Sequence, residues 1–323
     1  MYGEIIALLA NFVFVLSNVI FRQTEHEVSS VIINLFRTAT GMITFIVFSL
    51  AIGIFPLIFS LPLILWIILI LSFVFGQVIG DTAYFSAQKE LGATKALTIS
   101  LTFPIFTFLI SFLFLGRSFD ISFIFSGILI GIGVLIIGRS KLSPRVAPVT
   151  EYEFEDKTNG ELNNIKKRNM KALLFGIIAS LAWAIGLVLI DVGVKEIDRI
   201  LNLGSLSSVI GNVIRFPFAF FFLFLMGWRE ESNNRGSKER LSARISKNTF
   251  LFLIIASILG TSIGVFLYTE AARTAGGTVL SLITTANPLF ALPLTYFINK
   301  EKISKIGFIG VLLTIIGVIL III

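Results

Sequence analysis

One carboxylate stands deep inside an apolar run of this sequence. It is Asp81, one residue after Gly80 and three before Tyr84. An ionisable group inside a membrane is costly, so it faces a cavity or a partner, and an acid that can exchange a proton there is what a proton-coupled carrier uses. The competing reading is an acid within about two turns of a helix end that reaches the interface. Glu270 lies near the end of another apolar run with Arg273 three residues on. It is a second candidate for proton coupling, or one half of a helix-end ion pair. Asp191 reads as a boundary residue at the end of a run. Arg37 and Arg215 each follow an asparagine by three residues, Asn34 and Asn212, so each pair shares a helix face. Either arginine could hold an anionic group in bidentate fashion. Alternatively they snorkel to the interface or bond backbone carbonyls; recurrence of the pair favours that structural role.

Small polar residues cluster before two prolines. Thr98, Ser100 and Thr102 precede Pro104, and Ser281, Thr284, Thr285 and Asn287 precede Pro288. A mid-helix proline frees the carbonyl four residues back, here Ser100 and Thr284. Such a carbonyl needs a partner or lines a cavity. Tyr84, Thr98, Thr102, Trp183, Tyr268, Ser281, Thr285 and Asn287 join Asp81 as candidates for a cavity wall. Close packing through small residues is the alternative for each polar one. Trp183 either stacks on a solute or packs. Enzyme signals are missing: the chain has one histidine, His26, and no cysteine. It has no phosphate-binding GxxxxGK[ST] stretch, no metal-ligand spacing, and Gly131-Ile-Gly133 sits in an apolar run as a packing feature. No catalysis, metal or cofactor is expected.

The elements that must carry these residues are apolar runs. Of 323 residues 56% are hydrophobic and only 14% charged, where a soluble domain has about 25% charged residues. Long continuous runs predict an all-α membrane protein and exclude a β-barrel. Runs are expected at about 3–21, 29–55, 62–87, 95–115, 121–138, 171–190, 205–228, 249–272, 277–298 and 304–323. The stretch Gly76–Phe106 returns 184 residues later as Gly260–Phe290. Gly76, Gly80, Tyr84, Ala87, Gly92, Thr94, Pro104 and Phe106 fall on Gly260, Gly264, Tyr268, Ala271, Gly276, Thr278, Pro288 and Phe290. With a smaller shift Asn34 and Arg37 meet Asn212 and Arg215, and Phe14 meets Trp183. The reading is a duplication: residues 1–138, a hydrophilic linker 139–170, and residues 171–323. Five runs per copy is odd, so the expectation is ten transmembrane helices as two inverted five-helix repeats, with a solute site between them. Asp81 against Val265 and Glu270 against Ser86 break the match.

Loops after runs one, three, five, seven and nine hold 20 Lys and Arg; the opposite loops hold 4. The positive-inside rule then puts the central linker in the cytoplasm and both termini outside, in a multi-pass cell-membrane protein. The net charge of +7 reads as this bias and contact with the lipid bilayer, not as nucleic-acid binding.

The pattern Tyr84-x-x-Ala87…Gly92-Ala93…Pro104…Gly133, repeated as Tyr268-x-x-Ala271…Gly276…Pro288…Glu301…Gly317, resembles the EamA family of the drug/metabolite transporter superfamily. Arg37, Arg215 and Trp183 fit it, whereas Arg117 stands where members often carry Glu. The resemblance implies a carrier moving a small-molecule metabolite, often outward, by alternating access, with helices one, three, four, six, eight and nine lining the cavity. Two alternatives are an uptake or exchange carrier for a sugar or phosphorylated metabolite and a non-transporting lipid-handling protein. Monomer and homodimer are both open.

Overall fold

The structure, a computed structural model, describes residues 1–21, 23–24, 27–28, 30–91, 99, 102–116, 121–139, 159–233, 245–299 and 305–322. Among these, every regular element is helical. Helix α1 spans Tyr2–Phe21 and α2 spans Ser30–Ala51, followed by a short 3-10 turn at Phe55–Ser60. Helix α3 is continuous through three segments: Leu63–Phe73, a π segment Val74–Asp81, and Thr82–Leu91. Helices α4 and α5 are Phe103–Leu115 and Ile121–Arg139, and α6 and α7 are Asn159–Leu201 and Leu206–Asn233. Helix α8 repeats the plan of α3 as Lys247–Ser257, a π segment Ile258–Gly264, and Val265–Thr274. Helix α9 comes in two pieces, Gly277–Thr285 and Asn287–Asn299, and α10 is Lys305–Ile322.

Six of these are long and apolar enough to cross a membrane: Tyr2–Phe21, Ile32–Ala51, Leu63–Tyr84, Met170–Leu201, Leu206–Leu225 and Lys247–Thr274. Phe103–Leu115, Ile121–Ile136 and Ile306–Leu320 are apolar but shorter. Helices are the economical answer for such runs, because hydrocarbon offers the backbone no hydrogen-bond partner and a helix satisfies its own. Phe59, Leu63, Phe114, Ile306 and Phe308 stand exposed on the outside, as expected of a surface that meets lipid. Several ends differ from expectation, those of α6 and α3 among them. Helix α6 begins at Asn159, inside the expected 139–170 linker, and α3 runs on to Leu91. Polar residues do not stop a helix; they only end its apolar stretch.

The packing interlocks the two halves of the chain. Helix α1 lies against α8 and α9, α6 lies against α3 and α4, α2 crosses α7, and α5 pairs with α10. Lipid gives no hydrophobic drive between helices, so close approach through small residues does the joining. A Cβ added at Gly133 on α5 would meet Gly310 O at 2.6 Å and Thr314 N at 2.9 Å on α10. One added at Gly317 on α10 would meet Ile130 N and Ser126 O on α5, each at 3.0 Å. With the 184-residue offset, these contacts are one set seen twice. The two π segments are offset in the same way, Val74 matching Ile258. A π turn widens the helix by one residue and turns a carbonyl outward. At this place on α3, Gly186 of α6 approaches closely enough that a Cβ would lie 2.8 Å from both Gly76 N and Ser72 O. On α8 the corresponding approach is made by Ser17 of α1, which hydrogen-bonds Ala256 O at 2.8 Å and lies against Gly260.

Candidate functional site

Asp81 closes the π segment of α3, and ten more helical residues follow it. At 1.5 Å per residue that is about 15 Å of helix, although the apolar span itself closes at Tyr84. The indole N–H of Trp183, on α6, donates to Asp81 Oδ1 at 2.9 Å. The indole can reach because Gly80 has no side chain: a Cβ there would collide with the indole ring. Tyr84, one turn along α3, packs its ring 5.1 Å from Trp183, and Phe103 of α4 meets the indole edge-on at 6.3 Å. Arg37 of α2 acts on Asp81 through space; no hydrogen bond or ion pair joins the two. The structure thus brings together Asp81, Tyr84, Trp183 and Arg37, from α3, α6 and α2.

The second half holds the matching arrangement without its acid. Phe14 of α1 takes the place of Trp183, edge-on to Tyr268 at 5.9 Å and beside Gly264. Val265 stands where Asp81 would be. Arg215 of α7 is 8% exposed, donates Nη1–H to Asn212 Oδ1 at 3.1 Å, and leaves Nε without a partner. Asn212 in turn shares a hydrogen bond with Thr269 on α8 at 3.2 Å. Neither Arg215 nor Arg37 hydrogen-bonds a backbone carbonyl among the described residues.

The proline sites are helix breaks. Helix α9 is interrupted at Ala286, and Pro288 occupies the first turn of the piece that follows. Pro104 likewise occupies the first turn of α4, after Thr102, where a missing N–H costs nothing. Next to the two carbonyls expected to be freed, Ile99 O and Ile283 O accept the backbone N–H of Thr102 and of Ala286, each at 3.0 Å; Ser100 lies outside the described residues. Ile283 O accepts from Asn11 Nδ2 on α1 at 2.9 Å, and Ile99 O accepts from Ser180 Oγ on α6 at 3.4 Å. Each break is therefore bridged by the other half. The hydroxyls expected to line a cavity turn back onto their own helix: Thr102 to Ile99 O, Ser281 to Thr278 O, Thr284 to Leu280 O and Thr285 to Ser281 O. Ser281 is fully buried and Asn287 is exposed. Thr98 lies outside the described residues.

Glu270 is not part of the Asp81 group. It sits near the end of α8, 1% exposed, and accepts from Ser205 at 3.0 Å, Ser208 at 2.8 Å and Arg273. Arg273 continues to Asp198 of α6 at 2.7 Å, and Asp198 accepts from Gly204 N and Ser207 Oγ. One network thus ties α6, the α6–α7 turn, α7 and α8 at the end of the molecule that carries the N-terminus. Asp191 reinforces it. It is fully buried, accepts from Gly277 N at 2.7 Å and pairs with Lys195 at 2.9 Å. It caps the start of α9, where the unpaired N–H groups and the helix dipole favour a carboxylate; Gly276, at φ 86, makes the turn into that start. Asp198, Ser205 and Ser208 were missed because their partners on α8 are 62 to 75 residues away in the chain, and Asp191, read as a boundary residue, meets Gly277 86 residues on. Their one local signal was an acid repeated at 191 and 198, two helical turns apart. At the opposite end Glu27 accepts the backbone N–H of Ser246, the residue that caps α8, and that bond holds its carboxyl below the usual carboxylate range.

Among the described residues no group of three His, Cys, Asp or Glu side chains could hold a metal. A cavity of ≈ 320 Å³ lies between α4, α5 and the turn before α9, lined by Phe108, Ser111, Phe112, Phe123, Ala275, Thr278 and Val279. None of the candidate residues lines it, and its wall is mostly aromatic and apolar.

Comparison with known proteins bears on what such an assembly does. The chain is 21% identical over 316 residues to an uncharacterized transporter of Archaeoglobus fulgidus, covering 98% of this chain and 96% of that one. A solved crystal structure superposes with a TM-score of 0.70 at 14% identity, covering 99% of this chain and 96% of that chain; at that identity it speaks for the fold alone. The model of the EamA-like transporter family matches residues 1–139 and 170–323. With nearly the whole length matched, this multi-pass membrane protein belongs to the EamA-like transporter family.

Proposed function

We propose that the protein is a secondary carrier that moves a small organic metabolite by alternating access between two inverted five-helix repeats, ten spans in all, with the solute passing between them. The observation that carries this reading is the Trp183–Asp81 hydrogen bond. It joins an acid of one half to an indole of the other, with Arg37 in electrostatic reach, and so supports a site at the junction of the halves. The reciprocal contacts of Gly133 and Gly317 support inversion: a residue of each helix meets positions one and two turns earlier on the other, which is how two copies pack when they run antiparallel. The offset π segments and the two bridged helix breaks support a pseudo-twofold relation across the whole chain.

The proposed orientation follows the Lys and Arg distribution, with the linker between α5 and α6 in the cytoplasm. On that reading the Glu270–Arg273–Asp198 network closes the outer end. The register sets Ser86 and Lys89 against Glu270 and Arg273, so the first half has no counterpart of Glu270 at that position. A gate fastened by ions outside and more weakly inside fits a carrier that loads from the cytoplasm and exports. Asp81 is the proposed proton-coupling group, with Tyr84 and Trp183 in the solute path. Glu270 belongs to the gate in this scheme. Counterflow in proteoliposomes tests the proposal: preloaded solute should accelerate entry of labelled solute for some members of a metabolite panel, and a protein inert to the whole panel would count against transport.

A further inference from the structure

We infer that the transported solute carries a carboxylate, and that Arg215 is its counter-ion; this rests on the carrier reading above and names the substrate class of the same central region. Consider the charges buried in the middle of the molecule. Arg37 has Asp81 within electrostatic reach. Among the described residues Arg215 has no carboxylate in contact, and the ionisable side chain acting on it is the Tyr268 phenol, which is neutral at physiological pH. The duplicated register explains the difference: Val265 occupies the position that Asp81 occupies in the first half. Among the described residues the centre therefore holds two guanidinium groups and one carboxylate.

An unpaired buried cation is costly, because desolvation is not offset by a partner. Arg215 is 8% exposed and spends Nη1 on Asn212, while Nε meets nothing. That free N–H lies on the edge of the guanidinium that takes a carboxylate side-on, with two parallel bonds. Asn212 is itself held by Thr269, so the guanidinium is anchored at one corner with the other left open. Tyr268, against Phe14, supplies an aromatic wall beside it. In the first half the protein itself sets a carboxylate, Asp81, within electrostatic reach of the guanidinium. In the second half the solute provides it. A carboxylate is favoured over an inorganic anion because a planar two-oxygen group matches the planar fork and the adjoining rings suit an organic body.

The test uses the purified protein in lipid nanodiscs, with lactate, succinate and benzoate as carboxylate probes, lactamide, succinamide and benzamide as neutral counterparts, and chloride and phosphate as inorganic anions. At least one carboxylate should raise the melting temperature saturably, its amide should not, and Arg215→Gln should weaken the apparent affinity by about tenfold or more. Arg199→Gln, at an exposed arginine paired only with Glu196, should leave that affinity within about threefold. Equal stabilisation by acid and amide, stabilisation by phosphate or chloride alone, an unchanged affinity in Arg215→Gln, or no response to any carboxylate would each overturn the inference. Should Arg215→Gln fail to fold, counterflow by wild-type protein decides: trans-stimulation by a carboxylate and not its amide upholds the assignment, and the reverse defeats it. Flux of neutral solutes alone would remove the carboxylate and keep the carrier. Saturable carboxylate binding without flux of any probe would keep the site and remove the carrier.

Discussion

The indole N–H of Trp183 and the carboxylate of Asp81 meet at 2.9 Å across the junction of α6 and α3. The contact exists because residue 80 is glycine and because α3 widens into a π segment at that point. Three features of α3 thus converge on one side chain of the other half. A hydrogen bond to a charged group is worth about 1.5–3 kcal/mol. Trp183→Phe keeps the ring against Tyr84 and removes only the donor. It should lower thermal stability by about that amount while leaving a folded protein, as followed by tryptophan-independent melting in detergent. A variant as stable as wild type would show that the bond is not holding the two helices.

The network at the N-terminal end joins α6, α7 and α8 through two side chains, Arg273 and Glu270. Arg273→Met would leave the Glu270 carboxylate 1% exposed with only two serine hydroxyls as donors. Breaking a buried pair in this way costs about 3–5 kcal/mol. Glu270→Gln should cost less, because Arg273 keeps Asp198. Chemical or thermal unfolding of the two variants reads the order directly, and a larger loss for Glu270→Gln would contradict it.

The α5–α10 pair offers a prediction with its own control. Gly133→Val would push a side chain into Gly310 O and Thr314 N, backbone atoms that cannot step aside. Overpacking of this kind costs about 1–3 kcal/mol. Two residues earlier, a Cβ at Gly131 would meet nothing within 4 Å. Gly131→Ala should be neutral or stabilising by up to about 1 kcal/mol, since alanine favours a helix. Equal losses at both positions would mean that the crossing is not where the contacts put it.

Membrane orientation is open to a direct reading. With 20 Lys and Arg on one set of loops and 4 on the other, a reporter fused after Ile323 should report the outer side. A cytoplasmic signal would reverse the orientation and with it the assignment of the closed end.

What was legible beforehand divides along a physical line. Local and repeated features were readable: the apolar runs, the 184-residue register, the Arg273 that follows Glu270 by one turn, and the odd position of Asp81. Features that depend on distant partners were not. Trp183 lies 102 residues from Asp81, and nothing in either neighbourhood encodes their meeting. Asp191 looked like the end of a run because Lys195 and Glu196 follow it. In the fold it is fully buried, because the start of α9 needs a cap. Pro104 and Pro288 looked mid-helix because the apolar pattern is continuous through them. The breaks at Thr102 and Ala286 appear only once Asn11 and Ser180 are seen to satisfy the carbonyls. The π segments leave no mark on hydrophobic periodicity beyond a pair of glycines.

The most direct test of the carrier scheme is pH-gradient-driven flux in proteoliposomes, comparing wild type with Asp81→Asn. The substitution keeps the shape and an acceptor for Trp183 while removing the exchangeable proton. Wild-type protein should accumulate solute in response to an imposed pH gradient, and Asp81→Asn should still exchange solute for solute but no longer respond to the gradient. Gradient-driven accumulation that is the same in both proteins would contradict the assignment of Asp81 as the coupling acid.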